Sequence, residues 1–481
     1  MKQLSLILML LTVSALYAQS PKVEMRAVWI TSIFSLDWPQ IPHKNAADIE
    51  QQKADFEEIL DKLKVANFNV VLLQARLRGD VIYPSQFEPQ AASIASKNTT
   101  SHYDPLSFAI EKCHERGLEC HAWLVTYPLG RDAFSTTGQK TKDFVKQHKN
   151  EVYLDPGNPN TNKYLLHLVN EIVVKYDIDG IHLDYIRYPD RSFPDNSTFQ
   201  QYGKGANKAD WRTANINQFV YQLYDQVKAR KPWVQVSSSV IGKYDHRIEP
   251  ERHYMTAVDV GQDPEDWLKK GKHDFIVPMM YNKGNLFFPY VDDWQHRGHG
   301  RPIVVGLAAY NLDRREGNWT LHDLTAQLDD IRKHKMGGHA FYRLKYLTDN
   351  TKGIMNKLVN DYYSSPSLLS PMIWLDATRP LPPHEVEGVR EGDFLKLSWE
   401  AVKQPNRKKV FYNIYCSPTS PVDTSNAANL LATRVEGSAV LVPIDSTIER
   451  GDYYAVTSYD RYHNESEPSV PVYFVTGRFE K

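Results

Sequence analysis

Between Met25 and Tyr363 the chain alternates short strand-like runs with longer helical ones, and this alternation constrains the fold more than any other feature. The strand candidates are Met25–Thr31, Phe68–Arg76, Glu119–Val125, Gly180–Asp184, Gln235–Ile241, Asp274–Tyr281, Ile303–Tyr310 and Gly338–Arg343. Helical runs fall between them, the longest at Ala47–Ala66, Asn160–Tyr176 and Ala209–Arg230, and Thr351–Tyr363 closes the series. Eight such units predict an α/β fold, a (β/α)8 TIM barrel with insertions, over residues 24–363. A doubly wound open sheet competes with it. That fold announces a glycine-rich phosphate loop after its first strand, and none follows Thr31.

Loop lengths orient the barrel. Helix-to-strand connections are tight, as at Asn67, Gly117-Leu118 and Met336-Gly337. Strand-to-helix connections are long: Ser32–Ala46, Leu77–Tyr103, Thr126–Pro159, Tyr185–Lys208 and Gly242–Asp263. In such barrels function gathers on the long loops at the C-terminal face. Asp184 ends a strand on that side. The period of two from Gly180 to Asp184 puts Gly180, His182 and Asp184 on one face, and an aromatic and a cation follow in Tyr185 and Arg187. An acid or nucleophile belongs at such a position, although a carboxylate there also suits a simple turn cap.

Residues 364–383 are rich in Ser and Pro and read as a linker, packed in part through Met372-Ile373-Trp374. The pattern then changes to strands alone. Phe394–Trp399, Phe411–Cys416, Ala439–Pro443, Tyr453–Tyr459 and Val470–Val475 are short, Tyr- and Val-rich, and separated by turn residues. A small all-β, immunoglobulin-like sandwich is predicted for residues 384–477.

A net charge of -1 over 481 residues gives no field that draws the chain to nucleic acid or to an anionic membrane. Lys2, the apolar stretch Leu4–Leu16 and Ala18 before Gln19 form an export signal over residues 1–18, so a periplasmic or secreted protein is expected. The apolar stretch is too short for a comfortable membrane span, and none is expected elsewhere. The three cysteines Cys113, Cys120 and Cys416 make neither a disulfide framework nor a zinc site.

The region from about residue 24 to 345 resembles the glycosyl-hydrolase-like family ten, bacterial exported barrels linked to cell-wall glycans. The matching runs include Glu24–Trp29 with Asp37-Trp38-Pro39, Phe68–Arg76, Gly79–Ser85, Leu154–Pro159, Asp179–Pro189 and Asp274–Tyr281. Many relatives carry two adjacent Asp where this chain has Asp184-Tyr185, so any transferred catalytic role falls on Asp184 alone. Leu395–Trp399, Tyr453–Asp460 and Asn464–Ser469 resemble strands B and F and the F–G turn of a fibronectin type III domain. The first resemblance implies an exported glycoside hydrolase acting on a β-linked, N-acetylated glycan such as denuded peptidoglycan strands. The alternative is a glycan-binding barrel without catalysis. The sandwich is expected to be a spacer or a contact for another protein or glycan.

Glycosidic hydrolysis generally uses two carboxyl groups. Asp184 supplies one, and no Asp or Glu ends the strands at Tyr281, Tyr310 or Arg343. Asp37, Asp80, Asp155, Asp245, Glu249, Asp263, Asp313 and Glu316 lie on upper loops. Asp263 stands as the second catalytic candidate, although Pro264 after it and Asp266 three residues on also suit a helix N-cap. An N-acetyl group on the substrate would replace a protein nucleophile and leave Asp184 as the acid.

The substrate-binding candidates are Arg76, Asp80, His121, Trp123, His182, Tyr185, Arg187, Tyr281 and Trp38. Arg76 suits three roles: orienting Asp184, binding a substrate carboxylate such as a lactyl group, or forming a buried ion pair. Asp80 sits in a Gly79-Asp80 turn, and His121 also fits a satisfied core position. Tyr83, Tyr127, Tyr188, Phe287 and Trp319 join Trp38, Trp123 and Tyr281 as possible stacking platforms. The first strand lacks a His-x-His pair and no His-Glu-x-x-His occurs, so neither a metal nor a cofactor is expected.

Overall fold

The structure, a computed structural model, describes residues 20–99, 101–131, 141–248, 255–404, 409–444 and 451–475. The expected leader at residues 1–18 and the candidate Glu249 lie outside the described residues.

Eight parallel strands close into a barrel: Met25–Ile30, Val70–Arg76, Glu119–Val125, Gly180–Asp184, Gln235–Ile241, Phe275–Met279, Val304–Ala308 and Gly338–Tyr342. Each pairs with its sequence neighbour, and the eighth closes on the first in the register Met25 to Gly338. Tyr281 and Tyr310 fall just beyond their strands, in the loops that crown the C-terminal face.

Local rules explain the helices around it. The helix Pro105–Glu115 begins at Asp104, whose side chain accepts from Ser107 N, with proline in its first turn. Its buried residues Leu106, Ala109, Ile110 and Cys113 follow the i, i+3, i+4, i+7 spacing of one apolar face. The expected final helix begins later, at Ile354, because Lys352 and Gly353 adopt positive φ, and it changes from α to π form at Leu358. An extra helix, Asn196–Tyr202, and a small antiparallel sheet of Pro128–Gly130, Val145–His148 and Glu151–Leu154 occupy the long upper loops.

Alternate residues of each strand enter two different cores. Val71, Leu73, Cys120, Ala122, Ile181 and Leu183 face the helices. Ala27, Trp29, Val70, Leu72, Trp123, Val277 and Ala340 fill the barrel interior. Polar side chains share that interior, among them the buried His121, His182, Ser237 and Ser239. Gly180 makes room for one of them: a Cβ there would lie 2.3 Å from Nδ1 of His121.

Beyond residue 383 come two sheets. His384–Glu391, Phe394–Glu400 and Ala439–Pro443 form one of three strands. Leu430–Val435, Val410–Ser417, Gly451–Asp460 and Val472–Val475 form one of four. The intervening segment is packed: Leu368 pairs with Val23, Met372 is buried, and Trp374 donates to Asp274 at 3.0 Å. Ile373, between them, is exposed.

The all-β module docks on the N-terminal end of the barrel, away from Asp184. Arg434 pairs there with Glu119, which opens the third barrel strand, and with Asp179, which precedes the fourth, at 3.1 Å. His463 joins Glu119 at 2.8 Å, and His114 joins Asp179 at 2.7 Å.

Candidate active site

Above the barrel interior lies a cavity of about 320 Å³, with Asp184 in its wall. Asp184 is buried, and both of its oxygens are engaged. Trp123 Nε1 donates to Oδ2 at 3.1 Å and the Tyr185 backbone N–H donates to Oδ1 at 2.7 Å. Burial pushes its carboxyl above the usual aspartate range, against the charge of Arg187 and these two hydrogen bonds. Tyr185 holds its N–H in place through a left-handed backbone, φ 51°, which strains a residue with a Cβ and leaves the ring 42% exposed over the cavity.

Besides Tyr185 and Phe34, four aromatic rings line the cavity: Trp29 from the first strand, Trp123 from the third, Tyr342 from the eighth, and Tyr281 just past the sixth. Tyr342 is the hub, stacked on Tyr281 at 6.0 Å and edge-on to Trp29 at 6.2 Å. Such rings offer flat apolar faces with polar edges, which suit a pyranose ring. Gln74 fixes the lip by accepting from Ser32 N at 3.0 Å and Ile33 N at 2.9 Å, and Phe34 beside them is 73% exposed.

One other carboxylate lines the cavity among the described residues, Glu151. It comes from the small antiparallel sheet. Arg78 pairs with it at 2.8 Å and Tyr153 OH donates to it at 2.9 Å. Below the cavity His182 is fully buried, and burial holds it well below the usual imidazole range. Trp29 Nε1 donates to its Nε2 at 3.3 Å, so Nδ1 carries the proton and donates to Ser237 at 2.9 Å. His182 is a neutral support for the floor. Among the described residues no group of three His, Cys, Asp or Glu is arranged to hold a metal ion.

The structure brings Asp184, Trp123, Tyr185, Arg187 and Tyr281 together around this cavity. It places the other candidates elsewhere. Asp263 does not line the cavity; it caps the helix Pro264–Lys269 by accepting from Asp266 N and also accepts from Tyr244 OH at 2.9 Å. The helix cap is thus the role of Asp263 that the structure shows. Asp263→Ala is expected to lower stability by about 1 kcal/mol, the usual value of such a cap, without changing turnover. A loss of turnover as large as that of an Asp184 variant would instead place Asp263 in the catalytic machinery.

Arg76 is the buried structural ion pair, forked onto Glu88 at 2.8 and 2.6 Å and donating to the Thr126 carbonyl at 2.9 Å. Asp80 accepts from Arg78 N within its own turn. His121 is fully buried at 3.1 Å from Glu119. Trp38 is also fully buried, donating to the Gln52 carbonyl and packing on Phe56. Tyr83, Tyr127, Tyr188 and Phe287 are equally buried, and Trp319 nearly so.

Of the remaining loop carboxylates, Asp37 pairs with Arg343, Asp155 accepts from Thr198 and Gly157, and Asp245 and Asp313 pair with nearby arginines. Sequence reasoning missed Glu151, Trp29, Phe34 and Tyr342. The alternation Glu151-Val152-Tyr153-Leu154 carried a signal for the first, since it sets Glu151 and Tyr153 on one face of a strand.

A family model described as Glycosyl hydrolase-like 10 matches residues 24–295. The chain is 30% identical over 490 residues to "Glycosyl hydrolase YngK" of Bacillus subtilis (strain 168), an alignment covering 94% of this chain and 93% of that one. It is 29% identical over 373 residues to "Glycosyl hydrolase DigH" of Escherichia coli (strain K12), covering 68% of this chain and 85% of that one. The glycoside hydrolase domain of PgaB (BpsB) from Bordetella bronchiseptica shares the barrel fold, with a TM-score of 0.51 at 16% identity over 71% of this chain and 99% of that one.

Proposed function

The chain belongs to the glycosyl hydrolase-like 10 family, and from that premise we propose that it is an exported glycoside hydrolase with Asp184 as its catalytic acid. The carrying observation is a buried carboxyl, raised in pKa by its burial, in the wall of an aromatic cavity at the end of a barrel strand. The favoured substrate is a β-linked, N-acetylated glycan, denuded peptidoglycan strands in particular. Support comes from the hydrolase relatives, from the aromatic wall of the cavity, and from the engagement of Glu151 by Arg78 and Tyr153.

With Glu151 so engaged, the substrate supplies the nucleophile. The acetamido oxygen attacks the anomeric carbon as the bond to the leaving oxygen breaks, and Asp184 delivers its proton to that oxygen. Water then opens the cyclic intermediate at the anomeric carbon and returns a proton to Asp184. The N-terminal apolar stretch supports export to the periplasm or medium. The sheets of three and four strands support a fibronectin type III module that serves as a spacer.

Incubation of the mature protein with denuded strands should release short saccharides. De-N-acetylated strands should be cleaved at least about a hundredfold more slowly, because the internal nucleophile is gone. Equal rates on the two would remove the substrate-assisted step. Tight binding with no release would favour the second reading, a glycan-binding barrel, which the ion-paired state of Glu151 supports.

A further inference from the structure

Arg187 lines the cavity near Asp184, and its Nη1 is buried without a hydrogen-bond partner among the described residues. Its guanidinium lies 4.5 Å from the centre of the Tyr185 ring, a contact that gives Nη1 no hydrogen-bond acceptor. Asp184 feels its charge, but the Asp184 oxygens accept from Trp123 and Tyr185. The other arginine on the cavity wall, Arg78, is matched by Glu151 at 2.8 Å.

A buried guanidinium donor with no acceptor is costly to maintain, and an arriving ligand that supplies one removes the cost. When Asp184 carries a proton, no carboxylate on the wall balances Arg187, so the matching group on the ligand is an anion. The planar fork of Arg fits a carboxylate with two parallel N–H···O bonds.

We propose that Arg187 is a specificity residue that pairs with a carboxylate on the sugar bound beside Asp184, carried as a lactyl ether or as the ring carboxyl of a hexuronic acid. This rests on the hydrolase reading only in taking the cavity as the sugar site. It moves the anion-recognising role from Arg76, whose fork is filled by Glu88, to Arg187.

The test is binding, read by calorimetry on the full chain carrying Asp184→Asn so that no substrate is consumed. Three probes are compared: denuded N-acetylated strands with their lactyl carboxylates, the same strands with those carboxyls reduced to alcohols, and a hexuronate oligosaccharide. A carboxylate-bearing probe should bind on the order of tenfold or more tightly than the reduced strands, the scale of a charged hydrogen bond. Which of the two binds identifies the carrier of the carboxylate. Arg187→Gln should erase the preference, and Arg187→Lys should keep part of it by charge alone.

Equal binding of all three probes, no binding of any probe, or a preference that survives Arg187→Gln would overturn the assignment. The hydrolase reading fails separately. A wild-type protein that discriminates but releases no saccharide would sink hydrolysis and leave Arg187 in place, whereas cleavage of the strands with equal binding of all three probes would do the reverse.

Discussion

Arg434→Ala, a change in the C-terminal module, is expected to destabilise the protein by about 3–5 kcal/mol, read by denaturant unfolding. Arg434 is buried, and its guanidinium balances two carboxylates that belong to the barrel, Glu119 and Asp179. Burial works to raise both carboxyls, yet His463 and Arg434 hold Glu119 well below its usual range. His114 and Arg434 hold Asp179 at about 2. Removing the arginine leaves two buried charges with only imidazoles and amides nearby.

The linked pH dependence has a fixed sign. Carboxyls depressed in the folded state add stability above their unfolded pKa, near 4, and that stability fades as pH falls toward 2. The gap between wild type and Arg434→Ala should therefore be wide at neutral pH and narrow on acidification. A gap below about 1 kcal/mol at neutral pH would mean that the module is held by other contacts.

Asp184→Asn is expected to lower kcat by about 10²–10⁴-fold while glycan binding persists, since general acid catalysis contributes on that scale. The amide keeps the shape of the carboxyl and cannot release a proton to the leaving oxygen. It exchanges one acceptor for a donor, so one of the two hydrogen bonds from Trp123 and Tyr185 is lost. That costs about 1 kcal/mol, too little to unfold a domain of this size. The raised pKa also has kinetic consequences. An acid must be protonated, so wild-type activity is present below the elevated pKa of Asp184 and declines as pH rises through it.

The barrel was largely readable because its strands and helices have different periods and its upper loops are much longer than its lower ones. Asp184 could be put at a strand end by periodicity alone, and the structure ends that strand at Asp184. Exposure was not readable. Trp38, Tyr83 and Tyr127 lie on long loops, but such loops need apolar packing of their own, and these rings supply it. Glu151 escaped notice because it reaches the cavity through a sheet formed inside a loop: its alternation marks a short strand, but not the antiparallel partners that turn that strand toward the cavity.

Two strands of the C-terminal module were missed for related reasons. His384–Glu391 is a charged, mostly exposed edge strand with no buried face to mark it, and Leu430–Val435 is an edge strand with a broken register. Arg434, on the second of these, is the residue that ties the module to the barrel.

The most direct test of the central claim is the pH–rate profile of saccharide release from denuded N-acetylated strands, measured for wild type and Asp184→Asn at saturating substrate. Wild type should show a basic limb governed by a carboxyl above the ordinary aspartate range, and the variant should be at least about a hundredfold slower with that limb gone. A variant that cleaves at the wild-type rate with the same limb would contradict the assignment of Asp184 as the acid.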